Sequence, residues 1–311
     1  MTAVPPAGPH GGDGARVARA LGLDPDDVLD LSASLNPFAP DVAALAARHL
    51  SSLRRYPDVD RAEALLAEAL GPAVDPDRLV LTAGGAQAIA LVAQLTQVGW
   101  VEDPEFSLYR RHLPQVDPTG PRWRSDPHNP SGRLVRDVQP GVWDEAFLPL
   151  SAGTWTRGRP GWALGSLTKA FACPGLRLGF ALAPTPDDAA ALRRRRPVWA
   201  VDGLACAVLP DLLDRADPPG WTAGIAGARA ELVAVLARHG LAAEPADAPW
   251  VLVPDSRGLR ARLAPQGVVV RGCSSFGMCD YSRIAVPGEA GMERLDRALA
   301  MSEPGTRASG P

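Results

Sequence analysis

Lysine is all but absent from this chain of 311 residues. Of its 32 Lys and Arg, Lys169 is the only lysine, and Asn36 and Asn129 are the only asparagines. Cysteine occurs four times (Cys173, Cys206, Cys273, Cys279), scattered and with no Cys-x-x-Cys pair, which argues against zinc and against a disulfide framework. No metal site is expected. No apolar run approaches the roughly 20 residues needed to span a bilayer. Residues 1–14 lack the basic and apolar stretches of a secretory signal, so a cytoplasmic location is expected. Neither sign of charge dominates, the net charge being -3. Without a basic field, nucleic acid and membrane surfaces are not expected partners.

What is present is a soluble globular composition, 46% hydrophobic and 22% charged, long enough for a large core and two lobes. The bias toward Arg gives the single lysine weight. Arginine keeps its proton in proteins and forms no imine with an aldehyde, whereas lysine can lose its proton and form one. A chance surface leftover is the competing reading, and rarity alone does not decide between them. Both asparagines precede proline, in Leu35-Asn36-Pro37 and His128-Asn129-Pro130-Ser131-Gly132. Asn-Pro is good turn chemistry, but two such coincidences in so Asn-poor a chain weaken that account.

Helix and strand signals alternate through the first two thirds. Asp60 with Glu63 suggests a capping box opening a helix through Leu70. Strands are expected at 78–82, 98–101, 142–147, 162–166 and 176–183, with an apolar helix from Ala83 to about Gln97. This alternation argues for an α/β fold with a largely parallel sheet. A helix at 220–239, strands at 250–253, 267–271 and 282–286, and helices from Ser256 and from Gly288 to about Met301 suit a smaller α+β lobe. Arg122-Trp123-Arg124-Ser125 reads as a poor strand. Arg193–Arg196 reads as a solvated helix end, and residues 302–311 as a frayed tail.

Four segments fit one chemistry together. Thr82-Ala83-Gly84-Gly85-Ala86 follows a strand and opens a helix, which suits an anion. Asp144 stands at a strand end, where open α/β sheets bind ligands. Ser166-Leu167-Thr168-Lys169, with Arg177 close behind, supplies an amine, two hydroxyls and a guanidinium. The Asn129 turn is the fourth. A phosphate cradle, an imine-forming lysine and a strand-end aspartate are what pyridoxal phosphate requires, the aspartate holding the proton of the pyridine nitrogen.

As an ordered set these segments resemble the fold-type I pyridoxal-phosphate enzymes of the aminotransferase class I/II superfamily. The resemblance runs from His10 to about Met301. It rests on His10-Gly11-Gly12, Asn36-Pro37, Tyr56-Pro57-Asp58, Thr82–Gln87, Pro104–Tyr109, His128–Gly132, Asp144–Phe147, Ser166–Phe171, Gly175–Phe180 and Arg283–Val286. It implies a mostly parallel large domain at 36–196, a small α+β domain at 197–301 joined by an N-terminal arm (1–35), and a tail from 302. It implies that Lys169 carries the imine and moves protons, and that Asp144 pairs with the ring nitrogen. Gly84, Gly85, Ala86, Gln87, Ser166, Thr168 and Arg177 would hold the cofactor phosphate. Phe106 would stack on the ring and Asn129 would bond the ring hydroxyl. Tyr56 would reach the cofactor of a neighbouring subunit, implying a homodimer with shared sites.

Within the superfamily the chain resembles the threonine-phosphate decarboxylases of cobalamin biosynthesis and the histidinol-phosphate aminotransferases. His10-Gly11-Gly12, Phe147 where the aminotransferases usually carry Tyr, and Val270–Phe276 favour the first. That resemblance implies that His10, Gly11, Asn36, Asn129, Arg271 and Arg283 contact a phosphorylated amino acid. Decarboxylation breaks the Cα–carboxylate bond, transamination the Cα–H bond, and the sequence barely constrains which bond is aligned. A trimmed, non-catalytic relative is a third reading, against which the retained Lys169, Asp144 and Arg177 argue. The large lobe is short: 23 positions separate Phe106 from Asn129 and 15 separate Asn129 from Asp144. Trimmed crossovers or sheet edges are therefore expected.

Overall fold

The structure is a computed structural model and describes residues 4–255 and 258–302. Seven strands form its large sheet. In chain order they are β1 (Leu79–Thr82), β2 (Val98–Val101), β3 (Gln115–Val116), β4 (Arg122–Ser125), β5 (Gly141–Asp144), β6 (Gly161–Ser166) and β7 (Gly179–Leu182). Their spatial order is β1-β7-β6-β5-β4-β2-β3. Every neighbouring pair from β6 to β3 is parallel, and only β7 runs against its neighbours. The expected mostly parallel α/β sheet is therefore present.

Strand alternation divides two cores between the faces of this sheet. On β1, Leu79 and Leu81 join the core covered by the Val59–Leu70 and Gly203–Leu213 helices, while Val80 joins the one covered by Gly85–Thr96 and Pro186–Arg195. A second, three-stranded antiparallel sheet has the order β9-β10-β8, with β8 (Trp250–Pro254), β9 (Arg271–Gly272) and β10 (Tyr281–Ala285). Its core includes Leu232, Val235 and Leu236 of the Pro218–Arg238 helix. The first half of that same helix, through Trp221 and Ile225, belongs to the large-sheet core. One helix thus contributes side chains to both cores. The N-terminal arm is tied to the small lobe by the Asp13–Arg260 ion pair at 2.6 Å and by Arg271 donating to the Pro9 carbonyl.

Several local expectations are corrected by tertiary contacts. Asp58, not Asp60, caps the Val59–Leu70 helix by accepting from the Arg61 N–H. Glu63 is drawn inward instead, accepting from the Leu81 N–H and pairing with Arg193 and Arg196. Those two arginines are consequently not a solvated helix end. Residues 122–125 form a strand despite their composition, because β2 and β5 pair with them on either side. Trp123 and Ser125 are buried, while Arg122 and Arg124 lie over the rings of Trp100 and Trp143. The strand expected to reach Phe147 ends at Asp144, and the one expected at 267–271 is split into Val268–Val269 and β9. The helix expected from Ser256 is seen at Leu259–Leu263, Ser256 itself lying outside the described residues. The expected tail lies outside them too, apart from Ser302. β4 and β5 are joined by residues 126–140 with no helix between them.

Candidate active site

Four strands of the large sheet, β1, β4, β5 and β6, end at one cavity of about 260 Å³, the place where open α/β sheets hold ligands. Lys169 enters from the short Leu167–Ala170 helix that follows β6. Burial, with Arg283, Arg177 and Arg271 around it, lowers its ammonium from 10.5 to about 8. Asn36 braces this turn. Its backbone N–H donates to the Lys169 carbonyl and its Nδ2 to the Ala170 carbonyl at 2.8 Å.

Asp144, at the end of β5, accepts from the Tyr109 hydroxyl at 2.9 Å and from the Ala146 N–H at 3.1 Å. Burial raises its carboxyl above the usual range, with Tyr109, the Ala146 N–H and Lys169 acting against it. It forms no ion pair among the described residues, so its negative charge is free for a ligand cation. Sequence reasoning gave Tyr109 no role, although it stands in the Pro104–Tyr109 motif. Its complete burial is a tertiary fact.

The other end of the cavity is built for phosphate. Gly84 precedes the Gly85–Thr96 helix with φ +81°, and a Cβ there would lie 2.6 Å from Arg177 Nη2. Glycine lets the guanidinium lean over the helix N-terminus, where free N–H groups face outward. Gly85, Ala86, Ser166 and Thr168 line the same end. Gln87 does not. Its Oε1 accepts from the Ala83 N–H at 2.8 Å, so its side chain is spent on the turn.

Phe106 forms a wall, edge-on to Tyr109 and to His10, with ring centroids 5.8 and 5.5 Å away. Asn129 lines the same cavity and accepts from Arg283 Nη1 at 2.8 Å. Arg271 and Arg283 close the far side, facing each other across β9 and β10. Burial lowers Arg283 well below the usual arginine value and Arg271 to about 10. Neither pairs with a carboxylate among the described residues, and Arg271 Nε and His10 Nδ1 are buried without a partner. Gly11 also lines the cavity, and a Cβ on it would meet the Ser32 carbonyl oxygen at 2.0 Å.

The structure thus gathers most of the expected residues but leaves Asn36, Gly84, Gln87 and Tyr56 outside the cavity lining, Gly84 lying just behind it against Arg177. Tyr56 is 74% exposed and stacks on Trp199 at 4.2 Å. The set fits pyridoxal phosphate: a glycine–arginine anion cradle, a half-buried lysine whose ammonium is lowered, and an aspartate with no ion pair among the described residues.

Comparison with known proteins agrees. The family model for aminotransferase class I and II matches residues 142–300. A threonine-phosphate decarboxylase of Salmonella typhimurium is 29% identical, over 93% of this chain and 95% of that protein. A histidinol-phosphate aminotransferase of Haloarcula marismortui is also 29% identical, over 91% and 92%. The crystal structure of the histidinol-phosphate aminotransferase from Sinorhizobium meliloti in complex with pyridoxal-5'-phosphate shares the fold. Its TM-score is 0.78 at 19% identity, covering 92% of this chain and 93% of that one. With this match over half its length, and Lys169, Asp144 and Arg177 lining one cavity, the chain belongs to the aminotransferase class I and II family, the pyridoxal-phosphate enzymes that its sequence resembles.

Proposed function

We propose that the protein is a pyridoxal-phosphate-dependent carboxy-lyase that converts O-phospho-L-threonine to aminopropanol phosphate, a step of cobalamin biosynthesis. One observation carries this reading: two buried arginines stand opposite each other on adjacent strands at one side of the cavity, with no acidic partner among the described residues. Burying a charge costs several kcal/mol unless it is neutralised. A substrate bearing both a phosphate and a carboxylate neutralises both. Histidinol phosphate, the substrate of the aminotransferase reading, brings a phosphate but no carboxylate for the second arginine. Relatives of equal identity keep that second reading in play.

When bound, pyridoxal phosphate supplies an electron sink for the pair left when a bond to the substrate's Cα breaks. Arg177, Gly85, Ser166 and Thr168 would hold its phosphate, Phe106 its ring face, and Asp144 its pyridine nitrogen. Arg271 and Arg283 anchor the substrate's anions, with Asn129 fixing the Arg283 fork. Lys169, lowered to about 8, releases and retakes a proton at Nζ near neutral pH. Phe147 in place of a tyrosine presents an apolar edge, its ring 5.9 Å from Lys169 Nζ and packed on Trp250.

The proposal includes a homodimer. Leu50, Leu53, Tyr56, Val198 and Trp199 are all exposed, and Tyr56 stacks on Trp199, which supports an interface there. The reaction is tested by mass spectrometry of O-phospho-L-threonine incubated with the cofactor-loaded protein. Decarboxylated amine is expected, and none with Lys169→Ala. Unchanged phosphothreonine would sink this reading and favour the aminotransferase.

A further inference from the structure

Glu105 is a buried carboxyl to which neither the family resemblance nor the mechanism assigns a role. It lies one residue before Phe106 and beneath the cavity wall. Its Oε1 accepts from the Ser125 N–H at 3.1 Å. Its Oε2 accepts from the Ser125 hydroxyl at 2.8 Å and from the Phe106 N–H at 3.3 Å. The Ser125 oxygen in turn accepts from the Asn129 N–H at 2.8 Å. Asn129 Oδ1 accepts from Arg283 Nη1 at 2.8 Å, and Asn129 is the only hydrogen-bond partner of the Arg283 side chain among the described residues. One unbroken chain of hydrogen bonds therefore runs from Phe106 through Glu105, Ser125 and Asn129 to Arg283.

We propose that Glu105 is a positioning residue that sets the ring-facing wall and the anion-binding arginine together. Two carboxylate oxygens receive three donors from two segments, the Pro104–Phe106 turn and the end of β4. No neutral side chain of this size offers the same acceptor pattern. The Phe106 backbone is held from one side and the Asn129 turn from the other, so a shift of Glu105 displaces the cofactor wall and the Arg283 fork at once. Ser125 also faces the Tyr109 phenol that holds Asp144, which brings a third element of the site under the same anchor. Burial is the larger force on the Glu105 carboxyl, pushing it up to about 8 against its hydrogen bonds. A buried carboxyl retained at that cost is consistent with a role in specifying geometry. The inference rests on the cofactor occupying this cavity, not on which bond of the substrate then breaks.

Two variants test it. Glu105→Gln keeps the shape but turns an amide NH2 toward one set of donors. Ser125→Ala keeps Glu105 and the Ser125 backbone bond while cutting the link to Asn129. For Glu105→Gln, measured at pH 9 where the parent's carboxyl is ionised, pyridoxal phosphate affinity, read by absorbance titration, should fall about tenfold, and KM for O-phospho-L-threonine should rise about tenfold, each the loss of one charge-assisted hydrogen bond. For Ser125→Ala, KM should rise and cofactor affinity should fall, because the hydroxyl links Glu105 to the Asn129 turn and also faces the Tyr109 phenol. Cofactor affinity and KM within twofold of the parent in both variants, with only a lower Tm, would overturn the proposal by making Glu105 a purely structural group. Failure of the parent protein to bind pyridoxal phosphate would overturn it together with the cofactor reading. A parent that binds cofactor but leaves phosphothreonine unchanged would sink the decarboxylase reading alone, and the cofactor titration of Glu105→Gln still decides this one.

Discussion

Arg271 and Arg283 stand directly opposite each other on adjacent antiparallel strands, both buried, and neither makes an ion pair among the described residues. Like charges so placed repel, and each has lost its water. Aromatic faces ease the burden, with Phe276 under Arg271 at 4.5 Å and Trp250 under Arg283 at 4.6 Å. The fold therefore gives up stability to hold a site that only an anionic ligand completes.

Arg283→Met should separate those two effects. Without ligand, removing an unpaired buried charge should leave Tm unchanged or raise it by about 2–4 °C, the shift expected per kcal/mol in a chain of this size. The substrate should lose about 2–5 kcal/mol of binding, a KM increase of at least about thirtyfold. Thermal melts and steady-state kinetics on one preparation check both. A lower Tm with unchanged KM would make Arg283 a structural residue.

Tyr109→Phe removes the hydroxyl that donates to Asp144 and keeps the ring that packs on Phe106. With that donor gone, the Asp144 carboxyl should move further up. Its hold on the cofactor should weaken by about 1.5–3 kcal/mol, the worth of a hydrogen bond to a charged group. A fall in kcat/KM of about tenfold or more, with the visible spectrum of the loaded protein shifted, is the expected result. Unchanged kinetics would show that the Ala146 N–H alone suffices to hold Asp144.

Gly84→Ala places a methyl group 2.6 Å from Arg177 Nη2 on a backbone at φ +81°. The conformation alone should cost about 1–3 kcal/mol. Cofactor affinity should fall as well, because Arg177 must swing away from the helix start. Comparing pyridoxal with pyridoxal phosphate isolates the phosphate end: the variant should lose affinity for the phosphorylated form and little for the other.

Lys169 should give the cofactor-free protein a distinctive pH response. In the folded chain its ammonium releases the proton at about 8, against 10.5 for the ordinary group. Between those values the unfolded chain holds one more proton than the folded one, so stability rises with pH through that window. The Tm of the parent should climb relative to Lys169→Met from pH 8 to pH 10. Cofactor loading should also quicken as pH approaches 8 from below, since only the neutral amine attacks an aldehyde. A loading rate flat from pH 6 to pH 9 would contradict a lowered Lys169.

Much of the cavity was legible beforehand because its chemistry is tied to residue types. Only Lys169 can form the imine, and strand-to-helix junctions put Lys169, Asp144 and Gly84 at one edge of a parallel sheet. The direction of a side chain was not legible. Asn36 and Gln87 stand in motifs that suggest ligands, yet each is hydrogen-bonded to backbone that the motif alone does not place. Glu63 reads as part of a helix cap but turns inward to Arg193 and Arg196, 130 and 133 positions away.

The sequence by itself determined the α/β layering, the lysine at the end of a central strand and the family to which the chain belongs, since these follow from local periodicity, turn chemistry and the ordered spacing of rare residues. Tertiary structure alone decided that Arg271 faces Arg283, that Tyr109 holds Asp144, and that Glu105 joins Phe106 to Asn129 through Ser125. Those contacts depend on strand register and on which buried donors lack other acceptors. Such quantities are set by the whole packed chain, not by any short stretch of it.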